Sequence, residues 1–537
     1  MIPGAWIAWH YRSMPQAGAY HDDGVYLETA KSLAEGHGYR IPSLPDQPFQ
    51  TKYPPVLPFL ISLVWRMDPS FPSNLPKLTA LCWSMLPMYL ALLYVFLRRW
   101  GLAQFQAVAV CAITALSPHV VLASTMTMSE MTFGVLSLVA LLCLERGTAE
   151  SSAKLLVLAS LAGGLAFLTR TQGITLLVSG VALLLSKKRR RNALAYGSVF
   201  SVAVIGWLVW TRTHRYQGSD PVTIYYVDYV RFYAASVQWK DIPQLLQINI
   251  DSILSSIGHL LFADLPKDIP GRMFGWVIAA ASISGLRRLV KQSGQYHMAF
   301  YALLSLVMLL PWNWPPNERY LLPLWPAIGA GFVTEMRHLF DSSRAVLKRP
   351  EFSQKVAAVA ILAFVAIVCC VIPYRNLDGT THVLTAVYDD YQQKDNVRIP
   401  AYAWIRENTP TDAQILTYDD PLLYLYTGRR SVAMPIAHWL VDGGNDKRAQ
   451  AYFTTAPAFM REHGLNYALL TDGDFRRDLQ DMGRDALKLT LSRESWFEPL
   501  YHAPGADVFR IKPEAPGNRT PAGTWWASVR QSTPAIQ

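Results

Sequence analysis

Residues 75–99 read LPKLTALCWSMLPMYLALLYVFLRR, an apolar run of membrane-spanning length that ends in two arginines. A helix needs about 20 apolar residues to cross the hydrocarbon core of a bilayer. Backbone amides find no water to bond there, so a helix is the expected form. Similar runs, separated by short charged clusters, continue as far as Ile372. The sequence therefore predicts a polytopic bundle of transmembrane helices.

Ten such runs are long enough to be predicted as spans. They lie near residues 75–97, 104–123, 130–145, 154–169, 172–186, 193–210, 272–286, 296–312, 319–338 and 356–373. An eleventh apolar stretch, Met1 to Trp9, has about half the length that a span requires. We expect about 11 spans, with a first helix that is short or incomplete.

The composition agrees with a membrane protein, because 51% of the residues are hydrophobic and only 16% are charged. Soluble domains carry charge at roughly a quarter of their positions. The net charge of +10 does not predict a nucleic-acid partner, since the densest basic cluster, residues 187–191, lies directly between two apolar runs. Such a cluster is a topology signal. All five cysteines lie within apolar runs, which indicates buried thiols rather than disulfides or a metal site.

The basic loops predict the orientation of the chain. Loops rich in Lys and Arg stay in the cytoplasm, and five of them fall on the same side of successive spans: 98–99, 146–154, 187–191, 287–291 and 337–355. The same count places residues 11–74, 124–129, 170–171, 211–271, 313–318 and 374–537 outside. We therefore expect an outer face formed by several loops and by the whole C-terminal segment.

The C-terminal segment has the pattern of a globular domain. VRIPAYAWIRENTPTDAQILTYDD (397–420) predicts a helix, a turn and a strand. PLLYLYTGRRSV (421–432) and AYFTTAPAFMREHGLNYALLTDGD (451–474) each predict a helix, a glycine turn and a strand. The predicted organisation is a transmembrane domain at 1–374, with 11–74 as its first outer loop, an α/β domain at 375–512, and a disordered tail at 513–537.

Two adjacent carboxylates open the first outer loop. HDDGVYLETAKSLAEGHGY (21–39) places Asp22 and Asp23 before an amphipathic helix that Gly36 ends. Such a pair can bind a divalent cation, or one carboxylate can act as a base while the other tunes its pKa. Alternatively, an Asp at this position caps the helix. All of these interpretations stay open from the spacing alone.

Further polar groups lie at the predicted outer ends of the spans. Lys52 and Tyr53 precede Pro-Pro at the start of an interfacial helix, where Lys either reaches toward headgroups or binds a lipid phosphate. The others are Ser129, Glu130, Arg170, Glu318, Arg319 and Tyr320. Ionisable residues at such depth suggest function, although an interfacial anchor or an ion pair such as Glu130 with Arg170 would explain them too. Together with Asp22 and Asp23 they suit a phosphorylated lipid substrate.

The order of these motifs resembles a known family. Asp22-Asp23, KYPP (52–55), Ser129-Glu130, GLAFLTRTQG (164–173) and ERYLLPLWP (318–326) resemble GT-C glycosyltransferases of the protein-O-mannosyltransferase and lipid A aminoarabinose transferase type, over roughly residues 1–375. The resemblance implies transfer of a sugar from a polyprenyl-phosphate donor to a lipid, glycan or protein acceptor. It also implies a location in the bacterial inner membrane, with the C-terminal domain in the periplasm.

The resemblance also implies residue roles. Asp22 matches the family's catalytic carboxylate, Asp23 the acidic position after it, and Arg170 a basic residue that contacts phosphate. Lys52 lies one residue earlier than the family's basic residue before Pro-Pro. A carboxylate base and a held phosphate would suffice for an inverting transfer, in which a divalent cation on Asp22 and Asp23 is permitted but not required. The predicted substrate-binding residues are Lys52, Tyr53, Glu130, Arg170, Glu318, Arg319 and Tyr320.

Two other functions fit a polytopic chain: a transporter, and a lipid-binding membrane protein without catalysis. Transporters commonly place charged groups near the bilayer midplane and show internal repeats. Here the charged groups gather at one predicted face, and no internal repeat is visible in the sequence. This pattern favours the glycosyltransferase interpretation.

Overall fold

The computed structural model describes residues 1–14, 20–237, 239–263, 265, 268–294, 296–348, 352–435, 452–472, 474 and 482–512. The chain forms two compact units. The first, here called the membrane unit, comprises Met1–Arg12, Leu78–Val209 and Trp239–Val387. The second, here called the α/β unit, comprises Ser13–Lys77, Trp210–Gln238 and Tyr388–Gln537.

Helices make up most of the described chain. From the N-terminus to residue 213, outside the first outer loop, they are Ile2–His10, Leu75–Arg99, Gln104–Leu116, Pro118–Thr125, Ser129–Ala149, Ala153–Phe167, Ile174–Ser186 and Arg190–Thr213. From residue 242 to 408 they are Ile242–Leu261, Ile269–Ser293, Tyr296–Leu309, Glu318–Leu321, Trp325–Leu347, Phe352–Asp378 and Leu384–Asn408. Short 3-10 turns lie at Thr171–Gly173, Trp239–Asp241 and Leu322–Leu324, and a π-helical turn at Gly379–Val383.

Five helices among the described residues are long and apolar enough to cross a bilayer, and a bent pair makes a sixth candidate. The bent pair is the predicted span 104–123, which turns by 61° between Gln104–Leu116 and Pro118–Thr125. The cause is Pro118, because a residue before proline is driven into extended backbone, and Ser117 has φ −67° and ψ 124°. The protein is thus a multi-pass membrane protein, while the number of about 11 spans stays a prediction.

Paired glycines let helices of the membrane unit approach closely. A Cβ at Gly285 would lie 1.8 Å from the carbonyl oxygen of Gly331, and one at Gly258 would lie 2.5 Å from the Cα of Gly275. Ile269–Ser293 therefore contacts both Trp325–Leu347 and Ile242–Leu261 backbone to backbone. Small residues at helix contacts are typical of membrane bundles, where lipid supplies no hydrophobic drive for association.

The α/β unit contains a five-stranded sheet. Its strands are β1 (Gln414–Leu416), β2 (Arg430–Val432), β3 (Tyr467–Thr471), β4 (Phe497–Ala503) and β5 (Ala506–Ile511), in the spatial order β2-β1-β3-β5-β4. β1 runs parallel to β2 and β3, whereas β5 runs antiparallel to β3 and β4. The helices of this unit are Asp22–Ala34, Val56–Met67, Pro221–Val227, Tyr229–Ser236, Asp420–Thr427, Ala456–Glu462 and Met482–Arg493.

The structure confirms the predicted fold class, a mainly helical chain with a small C-terminal α/β sheet. The helix, glycine turn and strand expected at 421–432 are present, with Gly428 at φ 69°. The strand expected after Gly464 is β3, and all five of its residues are buried. The predicted disordered tail, 513–537, lies outside the described residues.

The first outer loop is part of the core of the α/β unit. Val25 and Ile41 are buried together with Leu416 of β1 and Phe459. The backbone N–H of Ser431 donates to the carbonyl oxygen of Ser43 at 2.8 Å. The sheet and the helix that begins at Asp22 are therefore packed into one unit.

Candidate functional sites

Asp22 and Asp23 form the first turn of the helix Asp22–Ala34, and His21 occupies its N-cap position. Asp22 is half-buried and accepts a hydrogen bond from the Tyr53 hydroxyl. A carboxylate has lone pairs for several donors, and this contact with Tyr53 orients Asp22. Acidic residues also suit the first turn of a helix, where the helix dipole is positive.

Asp23 is fully buried, and its Oδ1 lies 3.4 Å from the backbone N–H of Tyr20. Burial raises the pKa of Asp23 to about 6, with a further rise from the charge of Asp22 and an opposing effect of backbone hydrogen bonds. The two neighbouring carboxyl groups therefore have different environments: one is fully buried, and the other is half-buried beside a tyrosine hydroxyl.

Lys52 lies in the same unit. Its Nζ donates to the carbonyl oxygen of Tyr225 at 3.0 Å and lies 4.4 Å from the centroid of the Tyr225 ring. Burial lowers the pKa of Lys52 to about 8, and the charge of Asp22 partly opposes that shift. The loop is rigidly held, since Gln50 Oε1 accepts the backbone N–H groups of both Lys52 and Tyr53 at 2.7 and 3.0 Å.

The membrane unit holds a second group of charged residues. Arg170 Nη1 lies 2.6 Å from Oε1 of Glu130, which is 1% exposed, and Arg319 Nε donates to the same oxygen. Arg170 also donates to Ser129 Oγ at 3.1 Å. Both guanidinium groups lie about 5.5 Å from the ring centroid of Tyr320, within range of a cation–π contact. We call Glu130, Arg170, Arg319 and Tyr320 the arginine cluster.

Glu318, which precedes Arg319, has a different partner. His259 Nδ1 lies 2.6 Å from its Oε1, and Ser256 Oγ lies 3.4 Å from the same atom. Burial opposes ionisation, but the hydrogen bond from His259 and the charge of His119 lower the pKa of Glu318 to about 2. Glu318 is thus an ionised carboxylate paired with an imidazole.

The structure sorts the predicted site residues into two groups. Asp22, Asp23, Lys52 and Tyr53 lie together in the α/β unit. Glu130, Arg170, Arg319 and Tyr320 lie together in the membrane unit, with Glu318 on the same short helix as Arg319. The ion pair considered from the sequence, Glu130 with Arg170, is present.

Several neighbours of these groups were not predicted from the sequence: His21, Tyr225, Tyr226, His259 and Asp420. Two weak signals exist, since His21 adjoins the acidic pair and Tyr225-Tyr226 stand in an aromatic run, YYVDY (225–229). Asp420 carries no such signal, because it lies 399 residues from its partner His21. Among the described residues no three His, Cys, Asp or Glu side chains form a group that could hold a metal ion. A cation on Asp22 and Asp23 stays a prediction.

Comparisons with known proteins show a family resemblance over part of the chain. Residues 52–212 match the model of the dolichyl-phosphate-mannose-protein mannosyltransferase family. This range includes Lys52, Tyr53, Glu130 and Arg170. No curated protein matches the chain in sequence.

Solved structures match over nearly the whole chain. ArnT from Cupriavidus metallidurans in the apo state aligns with a TM-score of 0.54 at 13% identity, covering 91% of this chain and 92% of ArnT. The same protein bound to undecaprenyl phosphate aligns with a TM-score of 0.55 at 13% identity, covering 93% and 94%. The protein therefore has the fold of ArnT and resembles the GT-C membrane glycosyltransferases of the ArnT and protein mannosyltransferase type.

Proposed function

We propose that this protein is a membrane glycosyltransferase that moves a sugar from a polyprenyl-phosphate donor to a lipid, glycan or protein acceptor. The match of residues 52–212 to a mannosyltransferase family and the shared fold with ArnT, which has been solved bound to undecaprenyl phosphate, support the proposal. The arginine cluster is the observation that carries it, because its charge suits the lipid phosphate.

The arginine cluster brings two guanidinium groups to one carboxylate, since Arg170 and Arg319 share Glu130. The phosphodiester that links a sugar to a polyprenyl chain carries one negative charge, which suits two neighbouring guanidinium groups. Guanidinium groups bind phosphate oxygens through charge-assisted and often bidentate hydrogen bonds. We assign the phosphate contact to Arg170 and Arg319, together with Lys52, and contacts with the donor to Tyr53, Glu130, Glu318 and Tyr320.

Asp22 is the proposed base, assisted by Asp23. The acceptor hydroxyl attacks the anomeric carbon of the sugar, a new carbon–oxygen bond forms, and the bond from that carbon to the phosphate oxygen breaks. The phosphate leaves with the electron pair, and the hydroxyl proton passes to Asp22. Positive groups around the leaving phosphate stabilise the charge that develops on it. Attack from the side opposite the phosphate inverts the anomeric centre.

The orientation of the loops suggests where the reaction takes place. The predicted cytoplasmic side carries the basic loops, so the first outer loop and the α/β unit face the other side. We propose that the protein spans the bacterial inner membrane and that the α/β unit lies in the periplasm.

The function can be tested directly with purified protein. Mass spectrometry of lipids in a detergent extract should detect a polyprenyl-phosphate sugar, and a labelled donor of that kind should be consumed with transfer of the label. A preparation that is folded and monodisperse, yet neither binds nor consumes any polyprenyl-phosphate sugar from a bacterial lipid extract, would contradict the proposal.

A further inference from the structure

The backbone at His21 is strained. His21 has φ 64° and ψ −43°, and the N–H of Asp22 donates to the carbonyl oxygen of Tyr20 at 2.8 Å. This is a three-residue γ-turn of the rare form with positive φ. Such strained residues persist only where the surroundings hold them, and they concentrate at functional sites. Asp22 is the last of the three residues of this turn.

One buried carboxylate holds the turn. Asp420 is fully buried, and its Oδ1 lies 3.2 Å from His21 Nε2 while its Oδ2 accepts the Tyr226 hydroxyl at 2.8 Å. The Tyr226 hydroxyl also lies 3.0 Å from His21 Nε2. Each of the three side chains thus contacts the other two, and both oxygens of Asp420 are used.

Asp420 is itself fixed by the sheet. It begins the helix Asp420–Thr427 that follows β1, and Ser431 of β2 donates its hydroxyl to the Asp420 carbonyl oxygen at 2.7 Å. The next residue, Pro421, contacts the helix that carries Asp22, since a Cβ at Gly24 would lie 2.9 Å from Pro421 Cβ. Two consecutive residues therefore contact this region: Asp420 contacts the turn and Pro421 contacts the helix that follows it.

The charges around His21 also favour its contact with Asp420. Burial lowers the pKa of His21, but the hydrogen bond and charge of Asp420 and the charge of Asp22 outweigh it and raise the pKa above its ordinary value. Lys52 acts in the opposite direction. The carboxylate of Asp420 makes this a hydrogen bond to a charged group, and such hydrogen bonds are the stronger kind.

We propose that Asp420 is a positioning residue, which holds His21 in the strained turn and thereby sets the direction of the Asp22 carboxylate. The inference rests on the proposed role of Asp22 as the base. It gives the helix that follows β1 a part in catalysis without contact between Asp420 and the substrate. A misplacement of about 1 Å at a reacting group can cost about a hundredfold in rate.

The test compares two single variants with their double variant. Asp420→Asn removes the charge. It also replaces one of the two carboxylate oxygens with an amide nitrogen, which cannot accept a hydrogen bond. His21→Asn keeps a residue type that tolerates positive φ, but its side chain is too short to reach Asp420. Each should lower kcat by roughly tenfold to a hundredfold and leave KM for the donor unchanged. The double variant should be no slower than the slower single variant, because both changes remove the same contact.

Asp507→Asn is the matched control. Asp507 is a buried carboxylate on β5 of the same sheet, paired with Arg484 and Lys488. Its loss should lower the melting temperature but leave kcat unchanged. Hydrogen–deuterium exchange over residues 20–34 should rise in Asp420→Asn and His21→Asn and stay at the wild-type level in Asp507→Asn.

Unchanged exchange over residues 20–34, or kcat losses that multiply in the double variant, would overturn the inference. If Asp420→Asn does not fold, Tyr226→Phe replaces it, and wild-type kcat and exchange in both Tyr226→Phe and His21→Asn would overturn it equally. Increased exchange in the Asp420 and His21 variants, combined with wild-type turnover in Asp22→Asn, would instead show that Asp420 positions the turn while the proposed role of Asp22 fails.

Discussion

Arg170 Nη1 lies 2.6 Å from Glu130 Oε1, and the same carboxylate oxygen accepts a hydrogen bond from Arg319. A single carboxylate between two guanidinium groups fixes the geometry of both. The proposed contact with the donor phosphate uses these two guanidinium groups together.

Arg170→Ala should therefore weaken binding of the polyprenyl-phosphate donor by about 1.5–3 kcal/mol, the scale for a hydrogen bond to a charged group. Arg170→Lys should restore part of the affinity, because Lys keeps the charge but lacks the planar fork of donors. Titration of the purified protein with a polyprenyl phosphate measures the effect.

Arg272→Ala is a suitable control for Arg170→Ala. Arg272 also pairs with a carboxylate, that of Asp251 at 3.1 Å, but its side chain is 45% exposed. Exposed ion pairs contribute little to stability, so the fold should be kept. Donor affinity should not change, because Arg272 is not among the proposed donor contacts. Equal affinity of Arg170→Ala and wild type, with normal expression, would remove Arg170 from the donor site.

If Lys52 contacts the donor phosphate as proposed, the affinity for the donor should depend on pH. Its pKa is lowered to about 8, so the ammonium group is present below pH 8 and is lost as the pH rises through that value. Wild-type affinity should fall by up to about tenfold between pH 7 and pH 9. Lys52→Arg stays charged over this range and should abolish the fall. The same decline in both proteins would mean that Lys52 does not contact the phosphate.

The membrane helices could be predicted from the sequence because their signals are local. Length and hydropathy alone identify Leu75–Arg99 and Ser129–Ala149, and glycine turns delimit the short elements around Gly428 and Gly464. The bend before Pro118 follows from a local rule as well, although hydropathy alone predicts a single span at 104–123.

The neighbours of the candidate residues could not be predicted in the same way. The acidic pair and the arginines were identified by residue type and by their place at the ends of spans. The contact of His21 with Asp420 depends on how the first outer loop packs against the sheet. No short stretch of the sequence predicts that contact. The sharing of one Glu130 oxygen by Arg170 and Arg319 likewise depends on three segments that are distant in sequence.

The predicted orientation can be checked with reporter fusions. The basic loops predict that fusions after Arg191 and after Arg288 report the cytoplasm, and that a fusion after Arg375 reports the outside. Alkaline phosphatase and green fluorescent protein give opposite signals on the two sides. Reversed results at any two of the three positions would overturn the orientation.

Asp23 should make the protein less stable as the pH rises. Its pKa in the folded protein, about 6, is above its ordinary value of 3.8, so the folded state holds the proton more tightly than the unfolded state. The resulting penalty is absent below pH 4, grows as the pH rises toward 6, and reaches up to about 3 kcal/mol above pH 6.

Asp23→Asn should therefore raise the melting temperature at pH 8 and leave it nearly unchanged at pH 4. Asp507→Asn should change the stability at pH 8 in the opposite direction, because Lys488 and His502 lower the pKa of Asp507 despite its burial. That variant should be less stable than wild type at pH 8. A melting temperature of Asp23→Asn at or below the wild-type value at pH 8 would show that Asp23 is not a buried, unfavourable charge.

Asp22→Asn separates the catalytic interpretation of Asp22 from the structural one. Asn keeps the size of the side chain, and in the first turn it gives up only the interaction of the charge with the helix dipole, about 0.3–1 kcal/mol. It can also accept a hydrogen bond from the Tyr53 hydroxyl, so the contact within the loop can persist. The substitution removes only the negative charge and the capacity to take a proton.

A general base is worth about 10²–10⁴ in rate, so turnover of Asp22→Asn should fall by that factor while the melting temperature stays near that of wild type. Asp23→Asn should cost less, because Asp23 is buried and only assists. If both residues bound a metal ion, the two variants would lose activity equally. Transfer from a labelled polyprenyl-phosphate sugar by folded, monodisperse protein decides between these outcomes. Wild-type turnover in Asp22→Asn would leave Asp22 with a structural role at the start of its helix.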